Sequence, residues 1–223
     1  SFVTFDGLTL TGASPSAAAE DYGVGGAVNC TNGSHDIVIN RCKFLANHAP
    51  NAYGGGINFY NASGSLSDCV LDGNAALDGA GIYVNLGSVT VSRCTFTNNV
   101  AGELGGGISA LSSPVTAERC YFADNLVSGG TLGGGAIDAH EGADFSATNS
   151  IFVRNAGAGQ GGAIRLVFQS NCVMSGCTLV DNTAVYGGGI YLSSTLATIE
   201  NLIVAHNSGK AIAENKILFE TND

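Results

Sequence analysis

A short glycine-rich motif occurs seven times along the chain, at intervals of 25 to 29 residues. In each copy a glycine is followed by two small residues and then by an aliphatic residue. These aliphatic positions are Val28, Ile57, Ile82, Ile108, Ile137, Ile164 and Ile190. A period of this length indicates a solenoid, in which each repeat buries its apolar face only against its neighbours.

A second motif alternates with the first. It reads Cys-x-hydrophobic-x-x-Asn, with Ser150 and Leu202 in the cysteine position of two copies. The asparagines that end it are Asn47, Asn74, Asn99, Asn125, Asn155, Asn182 and Asn207. Between the motifs, apolar residues alternate with a period of two, which indicates β-strands rather than helices.

Three short strands in each repeat predict an all-β fold, a right-handed parallel β-helix of about eight coils. Like residues would then stack in columns at the parallel-strand spacing of roughly 4.8 Å. We expect the asparagine column to be structural: each asparagine would adopt a left-handed turn, and its amide would bond the amide one coil away.

Composition narrows the range of functions. Residues 1–223 form a single repeat array without a linker, and no capping helix is evident, so we expect a segment of a longer protein. Charged residues make up 12% of the chain and the net charge is −10. Nucleic acid is therefore an unfavourable partner. No apolar run is long enough for a membrane span, and no cofactor or metal is expected.

Five of the seven cysteines occupy one inward position of the repeat: Cys42, Cys69, Cys94, Cys120 and Cys177. We interpret them as small buried apolar residues. A disulfide between neighbours, such as Cys42 with Cys69 or Cys94 with Cys120, stays open because stacked strands bring their Cα atoms within bridging distance.

Four copies of the second motif also read F-x-x-N: Phe44–Asn47, Phe96–Asn99, Phe122–Asn125 and Phe152–Asn155. Together with GG(A/G)(I/V), they resemble the repeats of chlamydial polymorphic outer membrane proteins and related adhesin-like surface proteins, over about residues 25–207. The resemblance implies an extracellular or cell-surface β-helix that acts in adhesion. Its partner would be a protein or glycan on a host or neighbouring cell.

The same fold carries pectate lyases and polygalacturonases, so a carbohydrate-active enzyme or sugar-binding β-helix is the alternative. One place concentrates suitable side chains: Asp138 and His140, with Arg165 one coil further on. These candidate catalytic residues could bind or cleave an acidic sugar. We favour the other interpretation, a surface ion pair between neighbouring strands, which would contribute little stability.

Loops ahead of the glycine motif differ in length from coil to coil, and variable loops on a rigid rod build recognition surfaces. The predicted binding edge consists of Tyr22, Tyr53, Glu103, Leu132, Gln160 and Tyr186. Calcium binding by Glu20, Asp21, Asp78 and Glu103 is disfavoured because the glycine-aspartate calcium repeat is absent. We therefore expect a non-catalytic binding module.

Overall fold

A computed structural model describes residues 2–15, 25–168, 170–210 and 212–219. Numbered in chain order, the strands stack in parallel into four faces. Face 1 follows the glycine motif and contains β3 (Val28–Thr31), β7 (Ile57–Tyr60), β11 (Ile82–Asn85), β15 (Ile108–Leu111), β19 (Ile137–His140) and β22 (Ile164–Val167). Face 2 contains β1 (Val3–Asp6), β4 (Ile37–Asn40), β8 (Ser63–Ser67), β12 (Ser88–Ser92), β16 (Val115–Glu118), β20 (Phe145–Thr148) and β23 (Asn171–Ser175).

The strand β25 (Ile190–Glu200) runs through faces 1 and 2, so they form one 15-stranded sheet, with β27 (Ile212–Phe219) paired to β25. Face 3 is an eight-stranded sheet of β2 (Thr9–Thr11), β5 (Lys43–Leu45), β9 (Val70–Asp72), β13 (Thr95–Thr97), β17 (Tyr121–Ala123), β21 (Ile151–Val153), β24 (Thr178–Val180) and β26 (Ile203–Ala205). Face 4 has β6 (His48–Tyr53), β10 (Ala75–Asp78), β14 (Val100–Leu104) and β18 (Leu126–Val127). The predicted all-β parallel solenoid is confirmed, and face 4 adds a short fourth strand to several coils.

Most coils turn at four residues in the left-handed backbone conformation. In one coil these are Gly79, Leu86, Arg93 and Asn98, with φ of 59°, 53°, 52° and 55°. The left-handed conformation is favourable only for glycine and, to a lesser extent, for asparagine and aspartate. The other corners are nevertheless occupied by varied residues, so the stacked hydrogen bonds between coils must stabilise this conformation.

The buried asparagines form a continuous ladder along the rod. The Oδ1 atom of Asn99 accepts hydrogen bonds from the backbone N (3.1 Å) and the Nδ2 atom (2.9 Å) of Asn74. Its own Nδ2 donates to Leu71 O and to Asn125 Oδ1, each at 2.9 Å. The same pattern links the members from Asn47 to Asn207. Each side-chain amide therefore fastens its coil to two neighbours.

The expectation that these asparagines are themselves left-handed was wrong. The positive φ belongs to the residue before each of them, such as Gly73, Asn98 and Asp124. Because the corner is made one residue earlier, the asparagine side chain points inward, where its amide replaces water as a partner for buried backbone groups.

The column of Phe96, Phe122 and Phe152 lies inside face 3, with ring centroids 4.7 and 4.9 Å apart and the rings nearly parallel. All three side chains are buried. Like residues therefore stack at the strand spacing in the core, as the sequence pattern predicts.

The cysteine column has a hydrogen-bonding role in addition to packing. The thiol of Cys69 donates to the carbonyl oxygen of Ser67, two residues earlier, at 3.2 Å, and Cys94 bonds Ser92 in the same way at 3.3 Å. The Ser150 hydroxyl makes the equivalent bond to Thr148 at 2.9 Å, so serine replaces cysteine there. All seven cysteines are free and buried, and no disulfide joins the coils.

The glycine motif is required by close backbone approach. At Gly105, φ is 60°, and a Cβ would meet the carbonyl oxygen of Ile108 at 2.3 Å. At Gly106, a Cβ would lie 2.8 Å from the backbone N of Leu126 on face 4. The first two glycines thus let faces 1 and 4 meet at a tight corner.

We predict that Asn99→Ala lowers the free energy of unfolding by about 1–3 kcal/mol, because it strips partners from two N–H groups of Asn74 and from Leu71 O. Asn98→Gly is the matched control: it removes the adjacent, exposed amide and keeps the left-handed corner, so its effect should stay within about 0.5 kcal/mol. Urea unfolding of both variants measures the difference. Equal losses would contradict the ladder.

Candidate functional site

The outer side of face 1 is buried on its five middle coils, whereas a surface ion pair would need it to face solvent. Asn58, Tyr83, Ser109, Asp138 and Arg165 are all at most 4% exposed. The segments ahead of the glycine motifs fold back over this side. The Tyr53 ring lies 4.7 Å from the Tyr83 ring, and Gln160 Oε1 accepts a bond of 3.1 Å from Arg165 Nε. A polar layer therefore lies between face 1 and the loop edge.

The three candidate catalytic residues meet in this layer. Register pairs Asp138 on β19 with Arg165 on β22, and Arg165 Nη1 donates to both carboxylate oxygens of Asp138, at 3.1 and 3.2 Å. Nδ1 of His140 bonds the same carboxylate at 3.0 Å, and the backbone N of Gly134 donates to it at 3.0 Å. The sequence correctly predicted this proximity.

The interpretation of this group as a surface ion pair was wrong, because Asp138 is fully buried. Burial opposes ionisation of its carboxyl, but the bond from His140 and the charge of Arg165 prevail and hold the pKa of Asp138 below its usual value. The carboxylate is thus charged, buried and bonded on both oxygens. It is placed to hold two coils and the Gly134 corner together, since breaking a buried pair is costly.

Asp78 belongs to the same polar layer. From the sequence it was considered only as a calcium ligand, and that role was disfavoured. It occupies the position just before the glycine motif, in register with Tyr53 on one coil and Leu104 on the next. Its Oδ1 accepts a bond of 3.0 Å from Leu104 N. Burial raises the pKa of Asp78 to about 7, and Glu103 and Asp138 act in the same direction. The sequence signal that could have identified Asp78 was its position immediately before the glycine motif.

The predicted binding edge is only partly exposed. Tyr53 and Gln160 are half-buried by the contacts above, whereas Glu103, Leu132 and Tyr186 are exposed. Tyr22 lies outside the described residues. The backbone N of Tyr186 donates to Gly159 O at 2.8 Å, and Gly159 packs directly on Thr131 O.

These contacts bring Leu132 and Tyr186, 42% and 59% exposed, to one end of the edge. Val185, which the sequence reading did not single out, is 63% exposed beside them. We call Leu132, Val185 and Tyr186 the apolar edge.

Two further observations concern the part of the chain that the structure describes. It contains no cluster of three or more histidine, cysteine, aspartate or glutamate side chains that could hold a metal ion. Glu20 and Asp21 of the calcium hypothesis lie outside it. Nor does any helix there have the length and hydrophobicity needed to cross a membrane.

The family model for a right handed beta helix region matches residues 9–122 and 80–216. Since these ranges cover most of the chain, the protein belongs to the right-handed β-helix family, and the predicted handedness is confirmed. The chain matches no curated protein and no solved structure significantly. Membership of this family defines the fold but does not define the function.

We predict that Asp78 makes the free energy of unfolding fall as pH rises from about 4, near its unfolded pKa, to about 7, its folded pKa. Its folded pKa lies above the unfolded value, so the folded state holds the proton more tightly, and the stabilising effect of that proton is lost as pH rises towards the folded pKa. Asp78→Asn keeps an acceptor for Leu104 N and removes the titration. The loss should shrink by about 1–3 kcal/mol in the variant. Parallel stability curves for the two proteins would contradict the assignment.

Proposed function

We propose that this protein is a non-catalytic β-helix module, secreted or cell-surface, that binds a partner through its loop edge. The observation that carries the proposal is the burial of Asp138, with Arg165 and His140 as its bonded partners. A polysaccharide cannot reach this carboxylate, because the segments ahead of the glycine motifs cover it. Both carboxylate oxygens are also already hydrogen-bonded. General acid-base catalysis requires a group within reach of the substrate.

The apolar edge supports the binding half of the proposal. Leu132, Val185 and Tyr186 are large side chains in solvent. The backbone of Tyr186 is tied to the preceding coil, since its N donates to Gly159 O and its O accepts from Gly161 N. Tyrosine and aliphatic residues held on a rigid scaffold lose little conformational entropy on binding. They can anchor a partner at small entropic cost.

The repeat motifs support the proposed setting. GG(A/G)(I/V) with F-x-x-N resembles the repeats of chlamydial polymorphic outer membrane proteins and other adhesin-like proteins, which suggests adhesion to a host or neighbouring cell. The partner would be a surface protein or glycan. The acidic, lysine-poor composition is compatible with such a setting.

The test compares binding of the labelled protein to intact cells and to a glycan array. Leu132→Ser and Tyr186→Ser should each weaken the observed binding by roughly tenfold, as expected for interface anchors. The matched controls are Ile151→Ser and Ile203→Ser on face 3, since these isoleucines are 44% and 61% exposed. They should leave binding unchanged.

A polysaccharide-cleavage assay runs alongside. The proposal predicts no turnover of polygalacturonate or neutral polymers. Cleavage that is lost in Asp138→Asn, with the fold retained, would establish the enzyme alternative instead. Equal losses of binding in the edge and control variants would also refute the proposed edge.

A further inference from the structure

A cleft of about 490 Å³ opens at the corner between faces 1 and 2, away from the loop edge. It is lined by Ser112, Glu141, Gly142, Phe168 and Ser194. Register shows its origin. Three residues, 112–114, link paired positions at one corner, and four residues, 141–144, do so on the next coil. Counted to the same column, which continues as Cys172 and Ala197, four residues, 168–171, stand against three, 194–196, although Asn171 and Leu196 are themselves paired. Two longer corners between shorter ones shape the cleft.

Phe168 presents an aromatic ring to this cleft at an energetic cost. Its side chain is 60% exposed, so burial contributes little stability. Its φ of 57° is unfavourable for a bulky residue. Neither packing nor backbone preference accounts for phenylalanine here. The ring is available to a ligand.

The polar groups of the cleft mostly accept hydrogen bonds. The backbone N of Gly142 already donates to Phe168 O at 2.9 Å, and the backbone N of Phe168 already donates to Ser193 O at 3.2 Å. The Ser112 hydroxyl donates its hydrogen to Glu141 O at 3.0 Å, which leaves its lone pairs available. The Glu141 side chain is exposed and contributes carboxylate oxygens. A matching ligand would therefore supply donors.

The charge around the cleft indicates which kind of hydrogen-bond donor it would bind. None of the described residues that line the cleft is basic, and the chain carries a net charge of −10. An aromatic face attracts a cation, and a carboxylate beside it pairs with the same charge. An ammonium or guanidinium group donates hydrogen bonds and accepts none. Neutral sugars need donors as well as acceptors, and anionic ligands would be repelled.

We propose that this corner cleft binds a lysine or arginine side chain of a partner protein. The charged end of the side chain lies over the face of the Phe168 ring, within reach of the Glu141 carboxylate and the Ser112 hydroxyl oxygen. The site is separate from the apolar edge, so it holds or fails independently of the proposed function. It defines a second contact, specific for basic segments.

The test measures binding of a fluorescein-labelled oligolysine peptide by anisotropy at near-physiological salt, where long-range attraction to the acidic chain is screened. Phe168→Ala and Glu141→Gln should each weaken binding roughly 3- to 10-fold. Leu86→Ala is the control for the ring, because Leu86 holds the same corner position, is 58% exposed and has a φ of 53°. Glu200→Gln is the control for charge, because Glu200 is exposed and ends β25, outside the residues that line the cleft. Both controls should bind like the parent protein.

Two further comparisons sharpen the result. Phe168→Leu keeps an apolar side chain without an aromatic face and should bind as weakly as Phe168→Ala, and a lysine-acetylated peptide should not bind. The proposal is overturned if the parent protein does not bind the oligolysine peptide, or if the cleft variants match their controls. It is also overturned if Phe168→Leu binds fully, or if chitohexaose binds in a Phe168-dependent way.

Discussion

The asparagine ladder is the interaction on which the rest of the structure depends. Each side-chain amide satisfies buried backbone groups of the preceding coil that no strand pairs at that corner, and it also bonds the side-chain amide of the following coil. Leaving one such buried group without a hydrogen-bond partner costs about as much free energy as several solvent-exposed contacts contribute. The ladder thereby fixes the register of neighbouring coils. Once the register is fixed, the phenylalanine, isoleucine and cysteine columns follow.

This constraint also divides the molecule into parts that can vary and parts that cannot. Residues of the core and corners are committed to stacking, including the Asp138 network, which resembles a catalytic group in sequence and serves as a buried cross-link in the structure. Variation is confined to the loops ahead of the glycine motif and to the corners of unequal length. The two proposed binding surfaces lie in these places.

The fold was predictable from the sequence because stacked columns repeat the same chemistry at a fixed period, so seven copies of one motif each report the same geometry. The left-handed corners were not predictable in this way. Leu86, Arg93 and Phe168 have no intrinsic preference for that conformation and are held in it by neighbouring coils. Ser150 in the cysteine column becomes intelligible only once its bond to Thr148 is seen.

The candidate site was predictable as a group of residues and not as an environment. Pairing of Asp138 with Arg165 follows from the repeat register, which sequence alone supplies. Their burial depends on the path of the preceding loops, which loop length does not specify. The same gap hid Asp78, whose raised pKa arises from burial and from charges on other coils.

Native-state hydrogen exchange tests the role of the ladder most directly. The backbone amides of Asn74, Asn99 and Asn125 each donate to a side-chain oxygen on the next coil. They should exchange only through opening of whole coils, with free energies close to that of global unfolding. Amides of residues 129–132, in the loop between β18 and β19, should exchange much faster. Asparagine amides that exchange as fast as those loop amides would contradict the account.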